Sequence, residues 1–214
     1  MNRVCLPELL DSLPPDHPDA LHNRRDLRII NALMRNRAWF ERTLRPLVRE
    51  GECALELGAG TGELARSLGA RGIPVDGLDL WPRPADWPAQ RAWHQADLRE
   101  FGGYSAYPVV IANLILHQFT DAELGLLGSK LRLGARVIVA SEPERRRSSQ
   151  IAFAAFAPLL GANHVTLHDG NVSVGAGFRG DELARVLGLD DGTWRYTCAT
   201  TTLGANRTVA VRAG

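Results

Sequence analysis

The residues best suited to chemistry form a glycine-rich turn in the first third of the chain. A short apolar run that contains Glu56 leads into Gly58-Ala59-Gly60-Thr61-Gly62, and helix-forming residues follow at once. Glycines at these positions let the backbone turn sharply and approach a ligand without Cβ collisions. Open α/β sheets bind ligands at the carboxyl ends of their strands. The pattern therefore predicts a ligand site at a strand-to-helix turn.

The turn differs from the Gly-x-Gly-x-x-Gly fingerprint that binds dinucleotides. The sixth position of that fingerprint falls on Glu63, whose carboxylate would repel a pyrophosphate. Glu56, two residues before the first glycine, instead suits a cationic ligand such as a sulfonium that also carries an ammonium group. The chain also lacks a Tyr-x-x-x-Lys pair, so a nicotinamide oxidoreductase is the weaker alternative.

Carboxylates follow the next two predicted strands. Asp79 ends the second strand, where it can accept both hydrogen bonds of a ribose diol. Asp97 follows the third strand and can accept the exocyclic amine of adenine, although an Asp there can also cap a helix. Leu80 and Leu98 are placed to lie on either side of the base. The sequence thus predicts an edge that binds an adenosyl group.

These features together resemble the class I S-adenosylmethionine-dependent methyltransferases of the small-molecule type. The resemblance rests on Glu-x-Gly-x-Gly-x-Gly at 56–62, the two strand-end carboxylates and a terminal strand hairpin. It covers residues 52–141, and residues 190–212 by topology only. It implies that the glycine turn holds the methionine part of S-adenosylmethionine, Asp79 the ribose and Asp97 the adenine. The cofactor-binding residues expected on this basis are Glu56, Gly58, Ala59, Gly60, Gly62, Asp79, Leu80, Asp97, Leu98 and Asn113.

The fourth predicted strand ends at Asn113, which in this family faces the transferred methyl group. The segment Asn113-Leu114-Ile115-Leu116 stands where enzymes that methylate base amines carry Asn/Asp-Pro-Pro-aromatic, so a base amine is not the expected acceptor. The segment is similar to small-molecule O- or C-methyltransferases, so we expect a small, aromatic or lipophilic acceptor. His117 can act as general base because imidazole titrates near neutral pH. The alternative is that it orients the loop before the next helix.

A second candidate set lies in 161–180, a polar, Gly-rich segment that reads as an inserted loop. His168 beside Asp169 can polarise a phenol or hydroxyl, or can tie the loop down, and Asn163 and His164 precede it. No ligand spacing here matches a metal site, so none is expected. The apolar run 151–160 can line the acceptor pocket or, as a weaker alternative, lie against a membrane.

Periodicity predicts the elements that position these residues. The fold class is α/β, with a doubly wound, mostly parallel seven-stranded sheet, a terminal antiparallel hairpin and an N-terminal helical extension. Strands are predicted at 53–57, 73–79, 91–95, 108–113, 134–141, 193–202 and 206–212. Helices are predicted at 61–70, 84–90, 97–102, 121–131, 145–160 and 181–188.

The N-terminal extension is predicted to form an irregular arm over 1–18 and a helix that starts near Pro18 and breaks near Pro46. Arg24, Arg28, Asn31 and Arg35 share one face of this helix. That face can be solvated, or it can form a lid in which an Arg pairs with the cofactor carboxylate. Residues 1–51 are therefore assigned to the arm and lid. The methyltransferase domain is assigned to 52–214, with an insert at 142–180.

Composition bounds the remaining possibilities. The 214 residues, 45% of them hydrophobic and 23% charged, suit one α/β domain. A net charge of +1 gives no field that would recruit nucleic acid. No apolar run is long enough to span a bilayer, and three scattered cysteines give no disulfide framework. We therefore expect a cytoplasmic enzyme, with a non-catalytic adenosyl-binding protein as the rival. The oligomeric state stays open.

Overall fold

The computed structural model describes residues 2–14 and 16–214, so Met1 and Pro15 of the predicted arm lie outside the described residues. A seven-stranded sheet runs through the molecule in the order β3-β2-β1-β4-β5-β7-β6. Strands β1 to β5 pair in parallel, and β7 is antiparallel to both β5 and β6. The predicted fold class is therefore confirmed. The strands are β1 Ala54–Leu57, β2 Val75–Asp79, β3 Trp93–Gln95, β4 Val109–Asn113, β5 Val137–Pro143, β6 Trp194–Thr200 and β7 Ala205–Arg212.

Seven α-helices within the described residues accompany the sheet, together with four short 3-10 turns. They are α1 Pro18–Leu33, α2 Asn36–Leu44, α3 Glu63–Gly69, α4 Asp121–Gly134, α5 Arg147–Phe156, α6 His164–Ala176 and α7 Glu182–Val186. Helix α4 begins at a capping box in which Thr120 and Glu123 bond reciprocally. None of the helices in the described part of the chain is long and apolar enough to cross a membrane.

The central strands β1, β4 and β5 are buried on both faces, as expected for parallel strands at the centre of a sheet. One apolar cluster packs Leu55, Leu78 and Val110 against α4 and α7. The other packs Ala54 and Val75 against α2 and α3. Strand order reverses between β1 and β4, so the carboxyl ends of these two strands form the switch point at which open α/β sheets bind ligands in a crevice.

The insert after β5 is helical where the sequence predicted a loop over 161–180. Asn163 caps α6 by accepting a hydrogen bond from Thr166 N. Gly170 lets α5 approach, because a Cβ there would lie 2.2 Å from the Phe153 ring. The polar, Gly-rich composition that suggested a loop therefore reflects a cap and a close helix contact.

Two short helices predicted between the strands are absent, and turns replace them at 84–90 and 97–102. Pro84 and Pro88 remove backbone donors from the first segment. In the second, Asp97 O accepts from two backbone N–H groups in a single turn, and Gly102 and Gly103 follow it. Both predictions were wrong, because these prolines and glycines end each segment before a full helix can form.

Two further expectations need correction in the flanking segments. The N-terminal helix does not run unbroken to Pro46 but breaks at Arg35, whose φ is +54°, so that α1 and α2 are separate helices. The helix predicted over 145–160 begins only at Arg147, and Arg145 before it is buried. Its guanidinium donates to Gly177 O at 2.6 Å and pairs with Glu182 at 2.7 Å, whereas Arg146 and Arg147 are exposed.

Candidate functional site

The glycine turn after β1 has two kinds of glycine. All three have positive φ, +61° at Gly58, +55° at Gly60 and +72° at Gly62. A Cβ on Gly58 would lie 2.4 Å from the Ile115 side chain, and one on Gly62 would lie 2.5 Å from the Trp87 ring. A Cβ on Gly60 would meet nothing within 4 Å. Gly58 and Gly62 are therefore required by packing, whereas Gly60 exposes backbone to open space.

Asp79 braces the turn from the end of β2. Its Oδ2 accepts from Gly60 N at 2.7 Å, and its Oδ1 accepts from Trp81 N at 2.8 Å. The residue is 7% exposed, and burial raises the pKa of its carboxyl despite these bonds. Asp79 thus fixes the position of the open Gly60 backbone. Each carboxylate oxygen keeps acceptor capacity for a further donor.

Glu56 lies beneath the turn and is fully buried. One of its oxygens accepts from Ala65 N in the first turn of α3 at 3.0 Å. Burial raises the pKa of Glu56 to about 8, and the nearby Asp79 adds to this rise. The charge of Arg66 does not offset this burial, so the ionised form lacks a counter-charge close enough to stabilise it. A cation above the turn would supply one.

The predicted adenine contacts differ in accessibility. The Asp97 carboxylate is held by Arg99, whose Nη2 lies 2.5 Å from Oδ2, and this arginine lowers the pKa of Asp97. Leu98 is 4% exposed and packs in the core, whereas Leu80 is 63% exposed. The structure therefore exposes Leu80 at this edge, engages both oxygens of the Asp97 carboxylate with Arg99, and withdraws Leu98 into the core.

Helix α1 contacts the sheet edge that carries Asp79 and the glycine turn at two points. The Arg24 guanidinium lies 4.9 Å from the centre of the Trp81 ring, just after Asp79. Arg28 Nη1 lies 3.3 Å from Glu63 Oε1, at the first residue of α3. Arg35 does not share this face, because it forms the break between α1 and α2.

His117 is buried between two carboxylates. Its Nδ1 lies 2.7 Å from Glu142 Oε2, and its Nε2 lies 3.4 Å from Glu8 Oε1. Burial alone would lower the pKa of His117, but the hydrogen bonds with Glu142 and Glu8 outweigh it and raise the pKa to about 9. An imidazolium with both nitrogens engaged favours the orienting role over the role of general base. The base role stays an untested prediction.

The position of His117 predicts a stability that depends on pH. Because the folded pKa is raised above 6.5, its contribution is complete below pH 6.5 and is lost as the pH rises through 9. Relative to His117→Asn, the wild type should lose up to about 3 kcal/mol of unfolding free energy over this range. Urea unfolding at pH 6 and pH 10 measures this loss, with His168→Asn as the exposed control. An equal wild-type advantage over His117→Asn at both pH values would contradict the charged clamp.

His168 and Asp169 serve the N-terminal arm in this structure. His168 Nδ1 lies 3.0 Å from Asp169 Oδ1, and the histidine side chain is 46% exposed. The Asp169 carboxylate accepts from Leu9 N at 2.7 Å and from Leu10 N at 3.0 Å. Of the neighbouring candidates, Asn163 caps α6 while His164 is exposed. The pair therefore anchors the arm, and the role of His168 as a base remains a prediction.

Sequence reasoning missed four residues that organise the site: Glu8, Asn36, Trp81 and Glu142. Glu142 accepts from the backbone N–H groups of residues 115–117, so it fixes the loop after β4. Its place at the end of an apolar strand was a usable signal. Glu8 carried no such signal, because its partners Ser173 and His117 lie more than 100 residues away.

Comparisons with known proteins identify the fold. No family model and no curated protein matches the chain. Among solved structures, the plantazolicin methyltransferase BpumL in complex with a triazolic desmethylPZN analog and S-adenosylhomocysteine has a TM-score of 0.73 at 11% identity. The match covers 96% of this chain and 93% of the BpumL chain.

Two further structures agree. The plantazolicin methyltransferase BamL, with the same two kinds of ligand, has a TM-score of 0.72 at 9% identity and covers 95% of this chain and 92% of its own. The magnesium protoporphyrin IX methyltransferase from Synechocystis PCC 6803 with bound S-adenosylhomocysteine has a TM-score of 0.56 at 18% identity. It covers 88% of this chain and 86% of its own. With the observed strand order, these likenesses show that the chain has the class I methyltransferase fold.

Proposed function

We propose that the protein transfers a methyl group from S-adenosylmethionine to a small, aromatic or lipophilic acceptor, by O- or C-methylation. The observation that carries the proposal is the open backbone at Gly60, in the turn after β1, which Asp79 braces from the end of β2. Three structural neighbours of the same fold were solved with S-adenosylhomocysteine bound.

The residues present fit this cofactor. Gly60 leaves the space that a methionine chain needs against the backbone. A cationic group bound above Glu56 would lower the raised pKa of this buried carboxyl and favour its ionised form. Asp79 retains acceptor capacity for the ribose, and Leu80 is exposed for contact with the base. Asp97 would accept from the adenine amine in addition to Arg99, since each carboxylate oxygen can accept more than one hydrogen bond. The cofactor supplies a methyl group that is already activated on a sulfonium. The task left to the protein is alignment and the exclusion of water.

We assign residues 1–51 the role of a lid. Arg24 over Trp81 and the Arg28–Glu63 pair connect α1 to the cofactor edge. Arg28 is 57% exposed in the side chain, so it can turn from Glu63 to a cofactor carboxylate without leaving a buried gap. In this proposal the insert at 142–180 supports the lid, because α6 contacts α1.

The choice of acceptor class rests on the insert. Helix α5 and the turn after it expose apolar side chains, with Ile151 69%, Phe156 64% and Leu159 78% accessible. Such a surface suits contact with a lipophilic molecule. The structural neighbours are methyltransferases named for plantazolicin and for magnesium protoporphyrin IX.

Turnover tests the proposal. The purified protein is incubated with methyl-labelled S-adenosylmethionine and a panel of phenols, hydroxylated aromatics and carbon nucleophiles. We expect labelled product and an equal amount of S-adenosylhomocysteine with at least one acceptor. Binding of the cofactor without turnover on any acceptor of the panel would favour the rival, a non-catalytic adenosyl-binding protein. The Gly60→Val variant serves as the inactive control.

A further inference from the structure

A cluster of three carboxamides lies where the two helices of the lid meet the sheet edge. Asn36 Nδ2 donates to Asn31 Oδ1 at 3.0 Å and to Asn113 Oδ1 at 2.9 Å. Asn113 Nδ2 donates to Asn31 Oδ1 at 3.0 Å. Ser141 Oγ donates to Asn36 Oδ1 at 3.1 Å. The cluster thus joins the end of α1, the start of α2 and the last residues of β4 and β5.

Backbone strain marks the same place. Within residues 2–14 and 16–214, Arg35 at +54° and Leu114 at +58° are the non-glycine residues with positive φ. Each is next to an asparagine of the cluster, Arg35 before Asn36 and Leu114 after Asn113. Side chains with a Cβ adopt this conformation only where the surroundings hold them. Both strained residues bring a carboxamide into the cluster.

Burial divides the cluster into a fixed part and an open part. Asn36 is 1% exposed and Ser141 is fully buried, whereas Asn31 and Asn113 are half-buried. Asn36 therefore cannot reach a ligand at the edge, but its amide holds both asparagines that can. Arg207 fixes the corner from the other side, by donating to Met34 O at 2.7 Å.

We propose that Asn36 is a positioning residue for methyl transfer. Through two hydrogen bonds it sets the orientation of Asn31 and Asn113 and holds the lid helix at the carboxyl end of β4. This inference rests on the proposed function, because the cluster can position groups for methyl transfer only if a cofactor binds at that edge. Asn36 itself touches neither the cofactor nor the acceptor.

A double-mutant cycle tests the proposal, with binding of S-adenosylhomocysteine measured by calorimetry. Asn36→Ala and Asn113→Ala should each raise Kd about tenfold. The double variant should raise Kd no further, because both residues act through one cluster. Asn171→Ala, at an exposed position of α6, is the control and should bind like the wild type. If Asn36→Ala does not fold, the cycle is run with Asn31→Ala and Asn113→Ala instead, since Asn31 is only half-buried.

A merely structural role is separated by measuring Tm together with Kd. A folded Asn36→Ala variant with lowered Tm but unchanged Kd would overturn the proposal, as would a hundredfold, additive loss in the double variant. If the wild type binds no S-adenosylhomocysteine, the proposed function fails and this inference fails with it. If the wild type binds and Asn36→Ala binds equally well, only this inference fails.

Discussion

Gly60→Val is expected to abolish binding of S-adenosylhomocysteine, with a loss of affinity of roughly a thousandfold or more. The space beside Gly60 is open, so a side chain there would occupy the path by which the ligand reaches the backbone. Valine at a φ of +55° is also strained, at a cost of about 1–2 kcal/mol to the fold. Calorimetry on the folded variant measures the loss.

Gly72→Val separates obstruction from strain. Gly72 has a φ of +80° with nothing within 4 Å of its Cβ position, and it lies between α3 and β2, away from the crevice. Valine at this position imposes a similar backbone strain without blocking a ligand. Near wild-type affinity in Gly72→Val alongside lost binding in Gly60→Val supports the site. Equal affinities in the two variants would place the cofactor elsewhere.

Asp79→Asn is expected to weaken binding of S-adenosylhomocysteine by about 10- to 100-fold, since charge-assisted hydrogen bonds contribute about 1.5–3 kcal/mol. The change acts in two ways. It removes a charged acceptor for the ribose diol, and it replaces one acceptor oxygen facing Gly60 N or Trp81 N by a donor. Because these two bonds brace the turn, we also expect a lower Tm.

Asp191→Asn provides the matched control. Asp191 also accepts a backbone N–H, from Thr193 at 2.9 Å, in a turn before β6 and away from the crevice. Its replacement should lower Tm slightly and leave Kd unchanged. If Asp79→Asn bound the ligand as tightly as Asp191→Asn does, Asp79 would have no part in the site.

The sheet could be predicted from the sequence because its determinants are local. The apolar runs that become β1, β2, β4 and β5 are separated by helices and turns, and parallel strands buried on both faces need such runs. The glycines at 58, 60 and 62 predicted the ligand site, because their pattern is also local. The different roles of these glycines could not be predicted, because the contact of Gly58 with Ile115 joins segments that are distant in sequence.

The remaining parts of the site depend on long-range partners. Asn36 gains its importance from Asn113, 77 residues away, and Glu8 from His117, 109 residues away. Each looks like an ordinary polar residue in its local sequence. Helix α6 was missed for a related reason. Gly170 looked like a loop residue, but it is needed to make room for the Phe153 ring on the neighbouring helix.

Binding of S-adenosylhomocysteine to the wild-type protein tests the central claim most directly, with NAD as the comparison ligand. Isothermal titration at pH 7.5 should show one saturable site for S-adenosylhomocysteine and no heat of binding for NAD, because Glu63 stands where a pyrophosphate would meet the turn. Saturable binding of NAD with none of S-adenosylhomocysteine would contradict the account.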